Sequence, residues 1–272
     1  KEAPPEKLTY LRSRERGWTY FCYASGVIKD KRETDPQKRY KMAYLWIDRK
    51  FQRTPTSKPG KLTALGVAFS PDGIHWTPQN EPASYATLDA PIHVNWDEKR
   101  QRWIMLGRAF GVVTDEKKAA QAAEPNLQYN AGRAVIRCES TDFIHWTPEK
   151  GDLVLASDAQ DTPTTEIYDM RSIPYAGLHI GLVHMFLNNP DSVTLPIQLA
   201  VSRDNKTWQR LSDRSPFLAQ GGFGEWDRSV ISPPTTDPLV VGDELWFYYT
   251  GRNGLHSTRW IPEDNPKLLA GV

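Results

Sequence analysis

The chain has 272 residues, with 34 basic side chains against 33 acidic ones and a formal net charge of +1. So even a balance gives no reason to expect nucleic acid or an anionic membrane as the main partner. No apolar stretch approaches the ~20 residues needed to span a bilayer.

The two cysteines, Cys22 and Cys138, sit in the apolar runs "TYFCYA" and "AVIRCES". They read as buried free thiols, since two cysteines without metal-type spacing make neither a disulfide framework nor a metal site. Ten tryptophans, eleven tyrosines, nine phenylalanines and 21 prolines point to a β-rich protein with tightly packed or sugar-binding surfaces.

In chain order, the first recognisable element is "SRERGWTY", Ser13 to Tyr20. It is a degenerate copy of an octet that returns as "SPDGIHWT" (Ser70–Thr77), "STDFIHWT" (Ser140–Thr147) and "SRDNKTWQ" (Ser202–Gln209). The shared skeleton is Ser-x-Asp-x-x-x-Trp, with the Asp absent from the first copy, and the serines are 57, 70 and 62 residues apart. "LGVAFS", "AVIRCES" and "IQLAVS" lead into the three full copies as strand-like runs.

Such an octet is the chemistry of a hairpin corner. Ser and Asp side chains cap the N–H groups of the turn, Gly73 or Asn205 takes positive φ, and the Trp packs back from the outgoing strand. His75 and His145 are read as packing groups of the corner.

Between corners lie "RYKMAYLWI" (Arg39–Ile47), "RWIMLGRAF" (Arg102–Phe110), "LHIGLVHMFL" (Leu178–Leu187) and "ELWFYYTG" (Glu244–Gly251), all reading as strands. "APIHVNW" (Ala90–Trp96) and "DPLVV" (Asp237–Val241) precede two of them, with Asp35, Asp97 and Asp243 in the turns. "DEKKAAQAAE" (Asp115–Glu124) is the best helix-period stretch and reads as a loop insertion.

A unit of about 60 residues with four short strands has the size and content of a β-propeller blade. The expected fold is therefore all-β, a single propeller of four-stranded antiparallel blades over residues 1–272. A blade tail covers 1–25, full blades 26–80, 81–150 and 151–212, and a partial blade 213–272. The octet is then the turn between the third and outermost strands of each blade.

Carboxylates follow the corners at similar spacing. Asp30 is 12 residues beyond Trp18, Asp89 13 beyond Trp76, Glu166 20 beyond Trp146, and Asp227 19 beyond Trp208. Each is expected at the start of an innermost strand, so that several acids meet in one funnel. Converging carboxylates raise one another's pKa, which leaves one protonated and one ionised. That division suits glycoside hydrolysis, where one acid protonates the leaving oxygen and a carboxylate activates water or attacks carbon.

The segments "VIKDKRETDPQKRYKM", "GVAFSPDGIHW", "DAPIHVNWDEKRQRWIMLGR", "TEIYDMRSIPYAGLHIGL", "LAVSRDNKTW" and "FGEWDRSVISPP" resemble the five-bladed β-propeller glycosidases of the family 32, 43 and 68 superfamily. More narrowly they are similar to bacterial propeller proteins described as family 32- or 43-like. The resemblance covers nearly the whole chain.

It implies a glycosidase acting on an oligo- or polysaccharide, with three acids from different blades at the axis. By position these are Asp89, Glu166 and Asp227, with Glu166 as general acid and Asp227 or Asp89 as its ionised partner. Arg108, Tyr168 and Arg171 are implied as sugar-hydroxyl or carboxylate-orienting contacts, with Asp30 and His256 as further substrate contacts. No cofactor or metal is called for by the residues, although the resemblance allows calcium at the axis.

Two departures are visible. No Asn-Asp-Pro-Asn-Gly type segment stands near the start, and the chain supplies about four blades rather than five. Two other readings stay open: a sialidase-type enzyme, and a carbohydrate-binding propeller in which aromatics stack on sugar rings.

Overall fold

The computed structural model describes residues 10–13, 18–51, 60–86, 88–112, 114–123, 132–189, 192–211, 213–233, 237–254, 256 and 270–271. Nineteen strands and one α-helix of nine residues make the described chain all-β. Two compact units are distinguished: residues 1–110 with 136–152, and residues 111–135 with 153–272.

The first sheet runs in sequence order β1 (Tyr10–Ser13), β2 (Trp18–Lys29), β3 (Tyr40–Phe51), β4 (Gly60–Ser70) and β5 (Thr77–Pro78). The next is a four-stranded meander of β6 (Asp89–Asp97), β7 (Arg102–Ala109), β8 (Ala134–Ser140) and β9 (Thr147–Leu155). The helix α1 (Asp115–Ala123) is the insertion between β7 and β8.

A third sheet orders β10 (Thr165–Tyr175), β11 (Leu178–Asn189), β13 (Ile197–Ser202) and β14 (Gln209–Arg210), with β12 (Ser192–Thr194) paired to β11. Last come β15 (Val230–Ser232), β16 (Leu239–Val241), β17 (Glu244–Trp246), β18 (Thr250–Arg252) and β19 (Ala270–Gly271). The ladders β3–β4, β6–β7, β10–β11 and β11–β13 are all antiparallel, the construction of a propeller blade.

"ELWFYYTG" is not one strand. β16 and β17 close a separate hairpin, and residues 247–249 leave its ladder before β18 joins β15. Burial is the reason: Phe247 and Tyr249 pack against Ile173, Leu182, Ile197 and Ile231.

Asp35 caps a short 3-10 turn by accepting from Gln37 N–H, Asp97 closes the β6–β7 turn by accepting from Arg100 N–H, and Asp243 lies in the β16–β17 turn. Cys138 is a buried free thiol whose S–H donates to the Pro148 carbonyl, and burial pushes its pKa up to about 12. The side chain of Cys22 lies outside the described residues.

Each of the three full octets ends the penultimate strand of its sheet (β4, β8 or β13) and leads into the last. Ser70 Oγ accepts from Asp72 N–H and Gly73 N–H at 3.2 and 2.8 Å, and Asp72 Oδ1 accepts from Ile74 and His75 N–H at 2.8 Å each. Ser140 and Asp142 repeat this pattern, as do Ser202 and Asp204 in large part. The fourth residue takes positive φ in all three, 79° at Gly73, 67° at Phe143 and 52° at Asn205.

His75 and His145 do not pack. Each bonds an Asp oxygen through Nδ1 while its side chain stays above four-fifths exposed. Trp76 and Trp146 donate from Nε1 to the carbonyl of the positive-φ residue, whereas Trp208 Nε1 has no hydrogen-bond partner among the described residues.

The corner carboxylates make stability depend on acid. At Asp142, burial raises the carboxyl pKa, and bonds from His145 N–H, the His145 ring, Ile144 N–H and Ser140 outweigh it, taking the value from 3.8 to about 2. A folded-state value below the unfolded one contributes stability that is complete above about pH 4 and is lost as pH falls toward 2. Asp142→Asn is therefore expected to unfold at lower urea than the parent at pH 6, with most of that gap closed at pH 2. Equal midpoints at pH 6 would contradict this assignment.

Candidate active site

β10 reads TEIYDMRSIPY, and Glu166, Asp169, Arg171 and Ser172 are buried in it although all four are polar. A strand that buries so many polar groups must satisfy them locally. Glu166 is fully buried; its Oε1 accepts from Gly132 N–H and its Oε2 from Arg133 Nη1, both at 2.6 Å. Gly132 has φ 69°, and a Cβ there would lie 2.5 Å from the Val112 carbonyl oxygen, so a side chain would force this donor off the carboxylate.

The Arg133 guanidinium lies over Phe186 at 4.2 Å and 5.9 Å from the Tyr168 ring. Tyr168 occupies a β-bulge: Ile167 pairs with Met185 and Asp169 with His184, leaving Tyr168 as the extra residue. A bulge re-aims a side chain, and here the Tyr168 ring stacks on Phe186 at 8° while its hydroxyl bonds His256 Nε2 at 2.7 Å. His256 stands edge-on to both rings. Behind them, Asp169 Oδ2 bonds His184 Nδ1 at 2.9 Å, with both groups buried.

Asp227 lies three residues before β15 and is 8% exposed. Its Oδ2 accepts from the Tyr249 hydroxyl at 2.8 Å, a bond that pushes the phenol pKa up. Trp226 stacks on Tyr249 at 18°. Val230, at the start of β15, packs with Phe186, Leu195 and Tyr168, so the Asp227 loop continues into the wall that carries the Glu166 cluster. Arg252, paired with Val230 in the ladder, donates to the His256 carbonyl at 3.0 Å.

Glu166, Tyr168 and His256 thus come together around Arg133 and Phe186. Arg171 is buried on the same strand, but its Nη2 is bonded to Asp237 at 2.7 Å. In the first compact unit, Asp89 is the first residue of β6 and is ion-paired with Arg108, its partner across the ladder.

Asp30 is a correction. It stands immediately after β2, at the exit of the strand rather than its start. β2 runs unbroken from Trp18 to Lys29, so the corner and the strand that follows it are fused and the residue count carries Asp30 past the far end. There it anchors the turn, bonding Arg32 through Oδ1 and the buried Lys41 ammonium through Oδ2 at 3.0 Å. Burial pushes the Asp30 carboxyl up, but Lys41 and Arg32 outweigh it and leave the pKa below its ordinary value.

Gly132, Arg133, Phe186 and Tyr249 carry no sequence signal of their own. Among the described residues no group of three or more His, Cys, Asp or Glu is placed to hold a metal ion.

No protein-family model matches the chain, and no curated protein matches it. Solved structures do. An N-acetylgalactosamine deacetylase from F. plautii, in complex with blood group B trisaccharide, is 14% identical, with 84% of this chain covering 62% of that one at a TM-score of 0.54. A glycoside hydrolase gives 14% identity, 78% and 58% coverage, and a TM-score of 0.54. The β-1,2-mannobiose phosphorylase from Listeria innocua, in complex with β-1,2-mannobiose, gives 13% identity, 91% and 74% coverage, and a TM-score of 0.56.

This chain has the fold of the propeller glycoside hydrolases. It spans about three fifths of the length of the first two structures it is similar to. Asp89 is the first residue of β6, Glu166 is the second of β10, and Asp227 lies just ahead of β15.

Proposed function

We propose that this protein is a glycoside hydrolase-like enzyme that cleaves glycosidic bonds of an oligo- or polysaccharide by carboxylate acid/base catalysis. The observation that carries this is the buried Glu166, gripped by Arg133 and the Gly132 N–H, beside Tyr168 and His256 and along the wall from Asp227. Two of the similar structures hold carbohydrate, which supports the substrate class.

The hydrogen bonds favour roles opposite to those implied by the resemblance. Both Glu166 oxygens accept from N–H donors, one of them a guanidinium, which suits an ionised partner better than a proton donor. Asp227 shares one oxygen with a neutral phenol, and that bond can reverse direction when the carboxyl carries a proton. Asp227 is accordingly the acid that protonates the leaving oxygen. Glu166, fully buried, is the ionised carboxylate that stabilises the oxocarbenium-like transition state through its charge. Tyr168, His256 and Arg171 orient sugar hydroxyls.

A panel of nitrophenyl glycosides tests this. Asp227→Asn is expected to lower kcat by about 10²–10⁴-fold while binding of the same glycoside, followed by tryptophan fluorescence, stays within a few-fold. Binding without any turnover by the parent chain would favour the lectin-like reading. An Asp227→Asn variant as active as the parent would remove Asp227 from the chemistry.

A further inference from the structure

The most exposed large hydrophobic side chain among the described residues is Phe223, at 91%. Single exposed apolar residues are common on protein surfaces, so exposure alone assigns nothing. The placement of this ring adds three observations. Glu225 N–H bonds the Gly222 carbonyl at 3.1 Å, and Gly224 has φ 90°, which closes a tight turn over Gly222–Glu225 with Phe223 at its tip.

Gly221, at the base of that turn, rests directly on the candidate acid: a Cβ there would fall 2.2 Å from Asp227 Oδ1. Finally, the Arg228 guanidinium sits over the Phe223 ring at 4.6 Å, next in sequence to Asp227. One short loop thus packs its backbone on the carboxylate and lifts an aromatic face into solvent, with a cation at its side.

We propose that Phe223 is a stacking platform for a sugar ring of the same carbohydrate chain on which Asp227 acts, with Arg228 as hydrogen-bond donor to that sugar. The aromatic face accepts the C–H face of a pyranose or furanose ring, and the guanidinium beside it donates to hydroxyl oxygens. A ring already outside the core costs the fold nothing to desolvate by a ligand, and the tight turn limits the entropy lost on binding. The proposal rests on the reading of Asp227 given above and adds a binding surface beyond the single sugar that a nitrophenyl glycoside offers.

Affinity gel electrophoresis of the full chain in arabinan, xylan, mannan and levan separates the two claims, because retardation needs no turnover. The parent chain is expected to be retarded by at least one polymer. Phe223→Ala should weaken that retardation about 3- to 10-fold, and Phe223→Trp should keep it. Equal retardation of parent and Phe223→Ala would overturn the platform and leave the reading of Asp227 intact. So would a parent chain that hydrolyses glycosides but is retarded by none of the four polymers. A chain that neither binds nor hydrolyses overturns both.

Discussion

Glu166→Gln is expected to lower stability by about 3 kcal/mol as well as abolish turnover, and the two losses have different causes. The carboxylate is fully buried and its Arg133 partner has a side chain only 16% exposed. Removing one member of a buried ion pair leaves the other charge to bear its desolvation, typically at about 3–5 kcal/mol. Glutamine retains a carbonyl for the Gly132 N–H, but its NH₂ then meets the Arg133 guanidinium donor to donor.

A double replacement, Arg133→Met with Glu166→Leu, removes both charges and should recover most of the stability while remaining inactive. Urea midpoints check the first part and nitrophenyl glycoside turnover the second. A Glu166→Gln variant with the parental midpoint would show that the pair contributes nothing to folding. Parental turnover by the same variant would take Glu166 out of the mechanism.

The corners were legible in the sequence because their bonds are local. Ser70 accepts from Gly73 N–H, Asp72 from His75 N–H, and Trp76 donates to the Gly73 carbonyl, all within seven residues, so the spacing alone encodes the turn. The starts of β6 and β10 were legible at one remove, since strand lengths between corners are similar.

The partners of the acids were not legible. Gly132 and Arg133 reach Glu166 from 34 and 33 residues away, and Tyr249 reaches Asp227 from 22. Such contacts depend on how neighbouring strands register, and nothing in "AGRAVIRC" or "WFYYTG" announces them. Asp30 shows the limit of counting. Its distance from Trp18 is nearly that of Asp89 from Trp76, yet one residue ends a strand and the other begins one. The exposed histidines of the corners fail for a related reason, because a hydrogen bond to Asp72 or Asp142 fixes the ring without burying it.

Phe143→Ala is expected to destabilise the first compact unit by about 4 kcal/mol, within the 3–5 kcal/mol typical of deleting a buried aromatic ring. Phe143 is fully buried and meets Phe69, Trp103 and Trp146 edge to face, with centroids 6.0, 5.0 and 5.4 Å away. It does so from φ 67°, a conformation that costs a bulky residue roughly 1–3 kcal/mol. Packing therefore overrides backbone preference at this corner, where the preceding copy has Gly73 and the following one has Asn205.

The same φ predicts an inverted ranking of two small replacements. In regular structure glycine is worse than alanine by about 0.5–1 kcal/mol, but at positive φ alanine carries the strain and glycine does not. Phe143→Gly should accordingly be at least as stable as Phe143→Ala, and Phe143→Leu should lie between both and the parent. Urea unfolding followed by tryptophan fluorescence reads all three, since Trp103 and Trp146 line the site. Alanine more stable than glycine would mean that the corner relaxes out of its left-handed conformation once the ring is gone. A loss below about 1 kcal/mol for Phe143→Ala would mean that the aromatic cluster does not hold this corner.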